Sequence, residues 1–265
     1  MNVSATLTPR FVKLVLGLAV IPTFFLSASA QDARLVAKQV FPSVVMLDMQ
    51  DASHRPLRFG SGFFVRPNVV ATNYHVVENA FYGVAKVAGE TQTYVIEGTI
   101  GIDKANDLAL LKLVDANRPA LTLLADVSKI EVGEEIFAFG NPKRLEGTIS
   151  PGIISGLSLR DMGGENLIQI SAPISTGSSG GPVVNRNGEV IGVAVSSITT
   201  GQNLNFAVPS SLLATLMGSN SGVSSLSSSA SAEANSPGAG SPAPNKTRGL
   251  SSKSIGSDHN EMKRL

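Results

Sequence analysis

The stretch "APISTGSSGGPVV", Ala172 to Val184, sets small hydroxyl residues and glycines side by side ahead of a valine run. Such a loop can cradle a phosphate, serve as a flexible turn, or hold a serine in an exposed, strained bend. A phosphate loop needs a following lysine and helix, whereas a valine strand follows here. In a strained bend Ser179 could act as a nucleophile. The N–H groups of Gly177 and Ser179 could then converge on a developing oxyanion. Gly180 and Gly181 allow the tight turn, and Pro182 fixes the exit into the strand. A serine is a weak nucleophile until a base takes its proton, and histidine titrates in the right range for that task.

The chain has three histidines. His259 lies in a polar tail and His54 in the polar turn "DASHRPL". His75 lies in "VVATNYHVVENA", where an apolar strand ends and a short helical turn begins. Further along, Asp107 in "KANDLALLKL" opens another apolar strand. A half-buried carboxylate is costly unless something hydrogen-bonds it. An imidazole N–H would do so, and would leave the other ring nitrogen free to accept a proton. Each residue alone has a plainer reading. His75 can be structural, Asp107 can end a turn or bind Lys104 or Lys112, and the Gly/Ser loop can be a turn and no more. In the order His, Asp, Ser within one β-rich chain, they form a set suited to nucleophilic serine chemistry.

The elements that must carry these residues read as all-β from Ala33 to about Met217. Short apolar runs alternate with Gly, Pro, Asn and Asp turns. Six runs, from "SVVMLDM" to "LALLKLV", precede a break near residues 114–133, and six more, from "EIFAFG" to "NFAVP", follow it. Two small antiparallel barrels are expected, at about 31–118 and 119–217. The stretches "ARLVAKQV" and "SSLLATLM" read as helices. No α–β alternation supports a doubly wound fold.

A formal charge of +1 argues against nucleic acid or an anionic membrane as the main partner. The absence of cysteine excludes disulfides, thiolate catalysis and Cys-based zinc sites. No metal or organic cofactor is expected. Residues 1–30 follow the charged, apolar, small-residue order of a secretory signal peptide, with cleavage expected after Ala30 and no membrane span remaining. The mature protein is expected in a bacterial periplasm or outside the cell. Residues 218–265 are rich in Ser, Gly, Pro and Ala and read as a disordered tail.

The motifs "GSGFFV" from Gly60, "TNYHVV" from Thr72, "DLALLK" from Asp107, "FGNP" from Phe139, "TGSSGGP" from Thr176 and "LNFAVP" from Leu204 occur in an ordered series. Over residues 33–217 the chain resembles trypsin-like serine proteases of the HtrA/DegP type. The resemblance implies a chymotrypsin-like fold, two six-stranded antiparallel β-barrels with the active site between them. It makes Ser179 the nucleophile, His75 the general base and acid, Asp107 the orienting carboxylate, and the Gly177 and Ser179 N–H groups the oxyanion hole. It walls the specificity pocket with Ile174, Val193, Ala194, Val195 and Ser196. Neither pocket segment contains an acid, so cleavage after small or medium apolar residues is expected rather than after Lys or Arg.

The implied activity is that of an exported endopeptidase acting on polypeptides, unfolded or damaged envelope proteins among them. The alternative is a protease-fold binding or chaperone protein with little turnover. Several positions depart from the family pattern. Ser171 stands for an acid, Pro173 for a small residue, Ser175 and Thr176 for Asn-Pro, Ser178 for Asn, and Tyr74 for Asn. These changes bear on substrate preference and resting activity more than on reaction type. A peptide-binding PDZ domain usually follows in this family, and here the Ser-rich tail stands in its place. Family members often form homotrimers through the N-terminal segment, of which Phe41 is the only aromatic in "QDARLVAKQVFPSVV".

Overall fold

Runs rich in Val, Ile, Phe and Leu between turn residues favour strands, because branched and aromatic side chains fit a pleated, buried surface. The structure, a computed structural model, describes residues 28–124, 126–141, 147–157, 167–195, 205–219 and 222–227. Within them the two expected six-stranded antiparallel barrels are present. The first comprises β1 (Val44–Gln50), β2 (Pro56–Arg66), β3 (Val69–Thr72), β4 (Tyr82–Val87), β5 (Thr93–Asp103) and β6 (Leu108–Leu113), closed in the order β1-β2-β3-β6-β5-β4. The second comprises β7 (Glu135–Gly140), β8 (Thr148–Leu157), β9 (Ile168–Ile170), β10 (Pro182–Val184), β11 (Val190–Val195) and β12 (Asn205–Pro209), closed in the order β10-β11-β12-β9-β8-β7. Closure pairs every strand on both sides and leaves no long open edge.

Three apolar clusters follow from this arrangement. One fills the first barrel around Leu47, Phe64, Val70 and Leu111. A second fills the other around Ile136, Ile154, Ile170 and Ile191. The third lies between the barrels and joins Phe63 and Leu110 to Phe137, Phe139 and Val193. Two helices cover it, α1 (Ala28–Val40) through Val36 and Val40, and α3 (Ser210–Gly218) through Leu213 and Leu216. Phe41, which follows α1, packs edge-to-face on Phe139 with ring centroids 5.1 Å apart. That aromatic is therefore engaged inside its own chain.

The connection between the barrels is tied at both ends. Arg118 makes a two-pronged ion pair with Glu90, at 2.6 and 3.2 Å, and donates to the Pro42 carbonyl. Burial pulls the Arg118 pKa down, but hydrogen bonding and charge attraction from Glu90 outweigh it and leave the guanidinium above its ordinary value. Further on, Leu124 N–H donates to Val190 O and Val190 N–H donates to Thr122 O, so the connection lies along β11.

The chain stays folded beyond Met217, where the sequence set the start of a disordered tail. Ser224 and Thr99 exchange N–H···O bonds of 2.8 Å each way. Leu226, only 3% exposed, enters the core of the first barrel. One apolar residue in a serine-rich run carries too little periodicity to register in a sequence reading. Of the expected leader, residues 1–30, the stretch up to Ser27 lies outside the described residues, as does the rest of the tail, 228–265, whereas Ala28–Ala30 begin α1.

Candidate active site

β3 ends at Thr72, and the single-turn helix α2 (Tyr74–Val77) follows. This puts His75 at the rim of the first barrel, with its side chain about one-third exposed (32%). Asp107 sits in the turn before β6 with φ +52°. That left-handed conformation is uncommon for residues other than glycine, and Asp and Asn tolerate it best. β3 and β6 are neighbours, with Thr72 opposite Ala109, so the two residues meet across the pair.

The contact between them is two-pronged. His75 N–H donates to Asp107 Oδ1 at 2.8 Å, and the ring Nδ1 lies 2.6 Å from Oδ2. An ionised carboxylate only accepts, so a neutral ring that meets it carries its proton on Nδ1 and leaves Nε2 unprotonated. The Asp107 main chain is held as well. Its carbonyl accepts from Tyr74 N–H at 3.1 Å and from Asn73 Nδ2 at 2.9 Å. On the other side of the helical turn, Arg58 donates to the His75 carbonyl and lies 3.7 Å from Glu78. Nothing in the sequence pattern marks Arg58 for this place.

The second barrel supplies the serine. Ser178 N–H donates to Ser175 O at 2.8 Å, closing a tight turn in which Gly177 has φ +96°. A turn with a positive φ at its third residue favours glycine there. Gly180 has φ +86°, and a Cβ on it would stand 2.2 Å from Ser61 O and from Thr72 Oγ1. Ser179 lies between them and is 4% exposed. Its carbonyl accepts from Ser61 N–H at 2.9 Å, a bond that joins the barrels directly behind the serine. Among the described residues, the Gly177 N–H donates to no protein acceptor.

The five expected pocket residues divide. Side chains alternate along β11. Val193 and Val195 belong to the core between the barrels, whereas Ala194 turns into the second barrel, where Ile174 also packs. Ile174 and Ala194 therefore share a face that Val193 and Val195 do not. Ser196 lies outside the described residues. The alternation itself was the signal that a pocket chosen by segment overlooked.

Two antiparallel six-stranded barrels, with a His–Asp pair on one and a serine turn on the other, define the chymotrypsin-like fold class. The trypsin-like peptidase domain family matches residues 60–193. The chain belongs to that family, among its HtrA/DegP-type members. It is 38% identical over 163 residues to a Bartonella henselae protein named as a DegP-like periplasmic serine endoprotease, with 58% of this chain and 32% of that protein aligned. It is 35% identical over 173 residues to the anti-sigma-I factor RsgI9 of Acetivibrio thermocellus, with 65% of this chain and 24% of that protein aligned. The crystal structure of the serine endoprotease from Yersinia pestis is similar at a TM-score of 0.60 and 29% identity, over 70% of this chain and 65% of that one. The chain thus spans about a quarter to two-fifths of the length of the curated relatives it matches. Among the described residues, no helix is long and apolar enough to cross a membrane.

Proposed function

We propose that the chain is an exported serine endopeptidase in which Ser179 attacks a peptide carbonyl, His75 is the base and Asp107 orients it. The observation that carries the reading is the two-pronged His75–Asp107 contact, which fixes both the tautomer and the ring. In the first step Ser179 Oγ bonds to the carbonyl carbon and its proton passes to His75 Nε2. The oxyanion is met by the Gly177 and Ser179 N–H groups. The C–N bond then breaks as the imidazolium returns the proton to the leaving amine. Water, activated by the same histidine, releases the acyl group. Relatives named as periplasmic endoproteases support action on polypeptides in the cell envelope. Ile174 and Ala194 suit a small or medium apolar residue before the cut.

The test is a fluorophosphonate probe on the mature protein beside Ser179→Ala and His75→Ala, with the adduct mapped by mass. Labelling of Ser179 in the wild type alone is expected. Folded wild-type protein that stays unlabelled would sink the endopeptidase reading and favour the second one, a protease-fold binding protein with little turnover. The relative named as an anti-sigma factor is the observation on that side.

A further inference from the structure

We propose that the Ser61 hydroxyl is a positioning group that sets the orientation of the oxyanion-binding turn, an inference that rests on Ser179 being the nucleophile. Ser61 lies on β2 and is fully buried (0% exposed). It grips the serine turn at two carbonyls. Its N–H donates to Ser179 O at 2.9 Å, and its hydroxyl donates to Gly177 O at 2.7 Å. Between those two carbonyls lies the Ser179 N–H, and the Gly177 N–H stands just ahead of the first; these are the two N–H groups assigned to the oxyanion.

Peptide planarity turns this grip into control of the donors. The Gly177 carbonyl and the Ser178 N–H share one rigid plane. That plane joins the one that carries the Gly177 N–H to the one that carries the Ser179 N–H, so holding it fixes the link across which both donors are aimed. Glycine gives the turn little resistance of its own, since its backbone has several low-energy conformations. The Ser178 N–H bond to Ser175 O holds this plane from inside the turn, and the Ser61 hydroxyl holds its carbonyl end from outside.

The direction of the hydroxyl proton is fixed too. A serine hydroxyl has one proton and two acceptor sites. Asn141 N–H donates to Ser61 Oγ at 2.8 Å, and Asn141 Nδ2 lies 3.3 Å away. With Asn141 on the acceptor side, the proton points to Gly177 O. Asn141 is itself held by Gly147 N–H, which donates to its Oδ1 at 3.1 Å. Thr72 Oγ1 donates to the Ser61 carbonyl at 2.7 Å, which pins the strand below. This gives chemical roles to Ser61 of "GSGF" and Asn141 of "GNP", two motifs that the His–Asp–Ser set leaves unexplained. Without the hydroxyl, the Gly177 carbonyl is buried with no donor and its peptide turns to find one.

A group of this kind never touches substrate. Its loss should therefore weaken the transition state and spare the ground state, because oxyanion donors bind developing charge more strongly than a neutral carbonyl.

The experiment compares the wild-type mature chain with Ser61→Ala, using a chromogenic peptide amide ending in a small apolar residue and a peptide boronic acid of the same sequence. For Ser61→Ala, kcat is expected to fall about 10- to 100-fold, somewhat less than deleting an oxyanion donor outright, with KM changed by no more than about threefold. Affinity for the boronic acid should fall by the same factor as kcat/KM, and the pH profile should not move. A folded variant that turns over within about twofold of wild type overturns the proposal. So does one that loses turnover while binding the boronic acid as tightly as before. If Ser61→Ala fails to fold, Ser61→Cys, which keeps the shape with only a weak donor, enters the same assays under the same criteria. Wild-type protein that neither cleaves the peptide nor takes the fluorophosphonate is seen before any variant is compared, and overturns the endopeptidase reading along with this one.

Discussion

Asp107 meets two demands at once. Its carboxylate takes both nitrogen donors of His75, and its main chain holds φ +52° in the turn before β6. Two substitutions separate the demands. Asparagine tolerates the left-handed backbone, but its amide is expected to accept from one His75 nitrogen and donate to the other, which enforces the wrong tautomer. Asp107→Asn should lower kcat by about 10⁴-fold while the melting temperature stays within about 4 °C of wild type. Asp107→Ala should lose activity to a similar extent and in addition about 1–2 kcal/mol of stability, because alanine does not tolerate the backbone. Peptide-amide kinetics and thermal melts on the two variants measure both effects. Asp107→Asn turning over within tenfold of wild type would remove the orienting role from this residue. In the sequence, Asp107 alone gave no more than a turn. What made it legible was its place after His75 and before Ser179, which only a pairing of β3 with β6 could bring into contact.

At the scale of elements, the strands were readable because each is an apolar run between turn residues, and all twelve runs became strands. The closing segment was not readable, since its order depends on a partner distant in sequence. Thr99 and Ser224 are 125 residues apart, and Leu226 gains its burial only once the first barrel exists to receive it. The segment should therefore behave as part of the fold. Ending the chain after Ser227 should leave the melting temperature unchanged within about 1 °C, whereas ending it after Ser221 should cost about 2–5 kcal/mol, the range for emptying a buried leucine site. Leu226→Ala in the full chain should reproduce most of that loss. Thermal melts and denaturant titrations of the three proteins beside wild type decide it. Equal stability of both truncations would mean that the Thr99–Ser224 pair and the Leu226 contact contribute nothing in solution.

For the whole molecule, the candidate site exists only where the barrels meet. His75 and Asp107 belong to the first barrel and Ser179 to the second, and Ser61 of the first barrel holds the serine turn of the second through two hydrogen bonds. The cluster between the barrels includes α1, α3 and strands from both barrels, so separating them exposes Phe63, Phe137 and Phe139 together. This arrangement predicts a single cooperative unfolding transition in which the site and the fold are lost together. A cavity placed in the cluster away from the serine turn tests it. Phe137→Ala should cost about 3–5 kcal/mol and lower the melting temperature by roughly 10 °C. The temperature at which fluorophosphonate labelling of Ser179 disappears should fall by the same amount. Labelling that fades well below the melt, in wild type and variant alike, would show instead that the serine turn opens on its own while the barrels stay docked. The grip of Ser61 on Gly177 and Ser179 argues against such separate opening, because two buried hydrogen bonds would have to break before any surface of the core is released.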